Sequence, residues 1–177
     1  MFGQQHHDWL RGFRRNLFSY SCALCSHGAA AEDLYHEALV RAMSAKSVPK
    51  EAVAFRVWMF RLLRNLWIDG LRADARTQQH ARSEQSVDCD AHRVTGGEDA
   101  VVNRLAVRQA FMRLGKDHRD VLALVDIGGF TYEETGMLLS IPRGTVMSRV
   151  ARARAALACA LSDDQVIAFA PRQKAGQ

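Results

Sequence analysis

Between positions 142 and 154 the chain carries four arginines, Arg143, Arg149, Arg152 and Arg154, and no acidic residue. A guanidinium can hold phosphate oxygens or grip the O6/N7 edge of guanine through two parallel hydrogen bonds. An acid-free cluster of them therefore has the chemistry of a nucleic-acid reader. At about 3.6 residues per turn, Val146, Val150, Ala153 and Leu157 fall within a narrow arc and are expected to pack inward. Thr145, Ser148, Ala151 and Arg152 then point outward, with Met147 and Arg149 on the flanks. The small side chains of Ser148 and Ala151 would let such a helix approach base edges closely, while the spacing leaves open which arginine reads a base and which holds a phosphate.

Two further polar sets lie in the first half of the chain. Residues 44–51 (SAKSVPKE) form a basic loop with Lys46 and Lys50, and the helix expected after it carries Arg61, Arg64, Asn65 and Arg72 largely off its apolar side. Upstream, a helix expected to begin near Ala31 places Glu32 and Asp33 in its first turn, where carboxylates suit the positive end of the helix dipole. Its polar side offers Asp33, His36, Glu37 and Arg41 to solvent or a partner.

The elements that must position these groups are helical throughout. Phe55, Trp58, Met59, Leu62, Leu63, Leu66 and Trp67 recur at helical spacing and give one broad apolar face; Leu34, Ala38, Leu39, Ala42 and Met43 give the expected buried stripe of the helix before it. Val102, Leu105, Ala106, Gln109, Ala110 and Leu114 define a further helix, and Val121, Leu122, Leu124 and Val125 another, which Gly128 and Gly129 end. Thr131 with Glu134 three residues later makes a capping box for a short helix. A break at Ile141, Pro142, Arg143 and Gly144 leads to a last helix expected from Thr145, which is the helix–turn–helix spacing of DNA readers. The reading is an all-α fold of two small helical modules, residues 8–76 and 98–161, joined by a polar, flexible linker at 77–97 and closed by a tail at 162–177.

Composition agrees with this. The 177 residues are 48% hydrophobic, enough for packed cores, with a net charge of +5 and a pI near 9.3 that favour an anionic partner. No stretch approaches the roughly 18 consecutive apolar residues of a membrane helix, and residues 1–9 lack a signal-peptide core, so no membrane insertion and a cytoplasmic location are expected. Cys22 and Cys25, with His27 close by, form a C-x-x-C, but inside a helical stretch that spacing places two small apolar residues on one buried face; no metal site and no cofactor are expected. Trp58 and Trp67 read as core. No nucleophile elbow, phosphate-binding glycine loop or catalytic carboxylate pair is present, so catalysis is not expected of this chain.

The segment FTYEETGMLLSIPRGTVMSRVARARAAL resembles the promoter-reading carboxy-terminal module of extracytoplasmic-function sigma factors of bacterial RNA polymerase. AEDLYHEALVRAM and FRVWMFRLLRNLWIDGLRA resemble two helices of the same family's first module, and the order of the modules is the family's. The resemblance implies that Asp33, His36, Glu37 and Arg41 bind core RNA polymerase. It implies that Lys46, Lys50, Arg61, Asn65 and Arg72 read the minus-ten element of promoter DNA, and Arg143, Thr145, Ser148, Arg149 and Arg152 the minus-thirty-five element. It further implies regulation by an anti-sigma factor, a link to stress response, and a free monomer. His36 stands where the family usually has glutamine, Leu114-Gly115-Lys116 replaces a Leu-Pro turn, Gly136 an alanine, and Met147 a basic residue. Gly136, inside a helix, is expected to soften its module by about 0.5–1 kcal/mol relative to alanine. Two other readings share parts of the pattern: a lone helix–turn–helix regulator, which would need only the second module, and a sigma-like protein that sequesters an anti-sigma factor.

Overall fold

The computed structural model describes residues 2–25, 28–78 and 98–168. Seven helices are present among them: α1 (Gln4–Leu24), α2 (Gly28–Met43), α3 (Ala52–Gln78), α4 (Glu98–Arg113), α5 (Lys116–Leu122), α6 (Tyr132–Leu139) and α7 (Arg143–Ala168). The described residues contain no strand, as an all-α sequence pattern requires. Most of the linker read at 77–97 lies outside the described residues. Its first two residues continue α3, and α7 runs seven residues into the span read as a tail.

Helices α1, α2 and α3 pack on one another because each has an apolar stripe of helical period. Leu17, Tyr20 and Leu24 come from α1 and Phe55, Met59, Phe60, Leu63 and Trp67 from α3, all buried. The fully buried positions of α2 are Ala31, Ala38 and Ala42, small side chains that let this helix lie close to the other two. In the second module Leu114, Val121, Leu122, Val146, Val150 and Ala153 form a core that seats α7 against α5.

Three expectations at element level change. Helix α2 begins at Gly28, three residues before Ala31, so Glu32 and Asp33 fall after its first turn, which holds no acidic residue. Met43 is half exposed instead of buried, because the α2 core face is narrow and built from alanines. Helix α7 begins at Arg143, with the amides of Thr145 and Val146 bonding the Pro142 carbonyl, so Arg143 belongs to the helix and not to the turn.

The two modules are docked. After α5 the chain widens into a π-helical turn at Ala123–Ile127, and Gly129 turns it at φ +70°, a conformation that suits glycine. This delivers Phe130 edge-on to Phe60 of α3, with ring centroids 4.7 Å apart. The Arg56 guanidinium lies 4.4 Å from the Phe130 ring centre and also donates to the Gly128 carbonyl. Asn16 on α1 donates to the Ile127 carbonyl at 3.2 Å. Ala123, Leu124, Phe130 and Leu138 thereby join the core of the first module.

The capping box is present: the Glu134 amide donates to Thr131 Oγ1 at 3.2 Å, and the Thr131 amide to Glu134 Oε2 at 2.8 Å. Gly136 is not a soft spot. A Cβ built there would stand 2.8 Å from the Ile141 carbonyl oxygen, where the turn folds back onto α6, and the Ile141 amide bonds the Gly136 carbonyl at 3.0 Å. The missing side chain is what lets the turn close. Gly136→Ala should therefore lower the stability of the chain, by about 1–3 kcal/mol as for other overpacked sites, instead of gaining the helix propensity of alanine. Urea unfolding of the two proteins checks the sign.

Candidate nucleic-acid interface

Helix α7 presents its polar residues as expected. Ser148 and Arg152 are exposed, Thr145 and Arg149 half-buried, and the spacing of three, one and three puts these four on one side of the helix. Arg143 stands exposed at the helix start. The opposite side is fixed by Val146, Val150 and Ala153, all essentially inaccessible, and Leu157 is half-buried beside them. Arg152 folds along its own helix, Nε donating to the Ser148 carbonyl at 3.2 Å and Nη2 reaching Ser148 Oγ at 3.4 Å. Arg149 meets Asp117 at 3.7 Å. Arg154 is different: it faces Asp126 with two nitrogens, at 2.6 and 3.4 Å, so this arginine of the cluster braces α7 against the π-helical turn. Met147 is half exposed on the rim of the polar side.

On α3, Arg61, Asn65 and Arg72 are exposed and share one stripe, being four and eleven residues apart. Arg72 pairs with Asp69 at 3.4 Å in an open surface contact. Arg61 is not free, since Nη2 donates to the Met137 carbonyl of α6 at 3.1 Å, across the seam between the modules. In the 44–51 loop Val48 is buried while Lys46 and Lys50 stand out. On α2, Asp33, His36, Glu37 and Arg41 are all exposed, with Glu37 and Arg41 paired at 2.7 Å. Val40 and Met43 are 54% and 51% exposed on the same helix, Met43 one heptad after His36 on its face. Exposed apolar and charged side chains thus share this side of α2.

Sequence reasoning missed the seam itself. Asp120 of α5 is 4% exposed and sits between Tyr20 of α1, whose hydroxyl donates to Oδ1 at 2.9 Å, and Arg64 of α3, whose Nε donates to Oδ2 at 2.6 Å. Arg64 stands about 100° round the helix from its neighbour Asn65; the sequence pattern sets it off the apolar face, but the structure commits it to Asp120 at the seam. Burial raises the Tyr20 phenol well above its ordinary value, and the Asp120 charge raises it further, which keeps it a neutral donor. Burial also raises the Asp120 carboxyl, against the opposing pull of Arg64 and of the hydrogen bonds from Arg64 and Tyr20, with Asp117 adding to the rise. A Tyr, an Asp and an Arg far apart in sequence carry no signal that could have joined them.

The C-x-x-C does not lie on a fully buried face, although Cys25 packs against the first core. Cys22 and Cys25 are half-buried; burial raises both thiols, and Cys25, raised further by Cys22, is pushed up to about 11. A thiol held protonated is a poor nucleophile and a poor metal ligand. Among the described residues no group of three His, Cys, Asp or Glu is placed to hold a metal ion. His27 and Cys89 lie outside the described residues. Trp67 is buried and Trp58 half-buried against Phe55, so both serve the core. No helix of the described residues is long and apolar enough to cross a membrane.

Residues 4–77 match the family model for sigma-70 region 2, and residues 104–157 that for sigma-70 region 4. The chain is 34% identical over 158 residues to the ECF RNA polymerase sigma factor SigC of Mycobacterium tuberculosis, covering 88% of this chain and 82% of that protein. It is 29% identical over 156 residues to the ECF RNA polymerase sigma factor EcfG of Rhodopseudomonas palustris, covering 88% and 84%. Among solved structures it resembles the sigma factor RpoE of Bartonella quintana in complex with the anti-sigma factor NepR, with TM-score 0.75, 24% identity and coverage of 90% and 98%. It also resembles CnrH in complex with the cytosolic domain of CnrY, with TM-score 0.64, 21% identity and coverage of 92% of each chain.

Asp120 generates a test of the seam. Asp120→Ala strands the Tyr20 hydroxyl and the Arg64 guanidinium and should cost about 3–5 kcal/mol, the size found when one partner of a buried pair is removed. A carboxyl that holds its proton more tightly folded than unfolded adds stability below its unfolded pKa and loses it as pH rises through the folded value. The stability difference between the chain and Asp120→Asn should therefore grow in favour of the chain as pH falls from neutrality toward the ordinary carboxylate range. Denaturant midpoints across that window measure it.

Proposed function

The chain belongs to the extracytoplasmic-function RNA polymerase sigma factors, a family of non-enzymatic transcription initiation factors, and from that premise we propose how its surfaces divide the work. The exposed side of α2, with Asp33, His36, Glu37 and Arg41, binds core RNA polymerase. Lys46 and Lys50 of the loop, with Arg61, Asn65 and Arg72 of α3, read the minus-ten element, where a base taken out of the stack exposes its edges for hydrogen bonding. Arg143, Thr145, Ser148, Arg149 and Arg152 of α7 read the minus-thirty-five element in the major groove. Residues 8–76 and 98–161 are the corresponding functional units.

The observation that carries this reading is the pairing of two polar stripes, one on α3 and one on α7, each built on a helix whose opposite side is locked in a core. A lone helix–turn–helix regulator has no use for the α2 surface or the α3 stripe. The protein works where the polymerase is, in the cytoplasm, as a monomer when free, and an anti-sigma factor holds it until a stress signal releases it. A sigma factor of this fold is known in complex with an anti-sigma factor, which supports that part of the reading.

Run-off transcription with purified core polymerase tests it. Arg152→Ala should lower minus-thirty-five-dependent transcript about tenfold or more, the value of one well-placed base contact. A phosphate-holding arginine replaced by alanine should instead reduce the slope of log affinity against log salt by about 1. Failure of the chain to associate with the core enzyme overturns the reading.

A further inference from the structure

We propose that His6 is a positioning residue of the minus-ten reader, tying the loop that carries Lys46 and Lys50 to the start of α1; the inference rests on the assignment of that loop to promoter reading. His6 is 9% exposed, although it lies in the first turn of an N-terminal helix. Its Nδ1 accepts the Gly3 amide at 3.1 Å, and its Nε2 lies 3.0 Å from the Pro49 carbonyl oxygen, 43 residues away. Nδ1 faces a donor and Nε2 faces an acceptor, so the tautomer with its proton on Nε2 satisfies both. One imidazole therefore completes the cap of α1 and holds the loop.

The ring has little freedom to do anything else. Its centroid is 5.3 Å from those of Phe2 and Trp9 and 5.1 Å from that of Phe55, so aromatic groups from the N-terminal segment and from α3 fix its plane. On the other side of the bond, Pro49 lies between the two exposed lysines, one residue after the buried Val48. Proline fixes its own φ, so a bond to its carbonyl constrains the direction in which the chain leaves toward Lys50. The Val48 side chain sets the depth of the loop, and the His6 bond sets its orientation. A pocket that must receive one base needs its polar groups held to a fraction of an ångström, and the apolar contacts of Ala45 and Val48 are less directional than a hydrogen bond.

The test compares His6→Phe, which keeps an aromatic ring in the cluster but removes the bond, with His6→Gln, whose amide N–H can still reach the Pro49 carbonyl. The readout is run-off transcription by the full chain with core polymerase on promoters differing only in the minus-ten or only in the minus-thirty-five element, with thermal unfolding alongside. His6→Phe should lose discrimination among minus-ten sequences about fivefold to tenfold, the weight of one hydrogen bond. Its minus-thirty-five discrimination and core binding should stay unchanged, and His6→Gln should recover most of the loss. Equal loss at both elements, or full discrimination in His6→Phe, overturns the proposal. Lys46→Ala with Lys50→Ala separates it from its premise. Loss in that variant but not in His6→Phe rejects the positioning role alone, whereas indifference of both rejects the loop as reader.

Discussion

A carboxylate taken out of water must be paired, and the placement of the second module on the first follows from that requirement at Asp120. Tyr20 and Arg64 meet it from two different helices, so three elements converge on one side chain. Burial raises the Asp120 carboxyl, against the opposing pull of Arg64 and of the hydrogen bonds from Arg64 and Tyr20. Such a group contributes more to the uniqueness of an arrangement than to its strength, because a shifted docking would leave a buried charge alone. The apolar contact of Phe60 with Phe130 is less directional and supplies adhesion at the same seam.

Inward rotation of Arg64 has a consequence for the rest of α3. With Arg64 committed to Asp120, helical geometry leaves Arg61, Asn65 and Arg72 on the outer side as a continuous stripe. Docking also reaches into that stripe, since Arg61 spends a donor on the Met137 carbonyl. The contact is exposed, so it holds the Arg61 side chain only lightly to the seam.

The same economy holds on α7. Arg152 rests on the Ser148 carbonyl and Arg149 on Asp117, both in solvent-accessible contacts that hold the side chains near the surface without burying them. Arg154, bound through two nitrogens to Asp126, is the member of the cluster that serves the fold. The charge count along residues 142–154 could not make that division, because it depends on an acid 28 residues earlier in the chain.

Helix type, the two-module order, the capping box at Thr131 and the inward arc of Val146, Val150 and Ala153 were all legible in the sequence, because each depends on neighbours within about two helical turns. The polar residues of α2, α3 and α7 were legible for the same reason, and the resemblance gave them roles. Misreadings came where a local rule met an unseen neighbour. Met43 followed the apolar period but lies beyond an alanine face, and Gly136 looked like a defect until the Ile141 carbonyl closed on it. Only the tertiary structure decided that Tyr20, Arg64 and Asp120 belong together, that Arg61 is shared between modules, and that His6 reaches Pro49. These contacts join residues 43 to 100 positions apart, and periodicity along a chain holds no information about which distant side chains burial will force to share a proton or a charge.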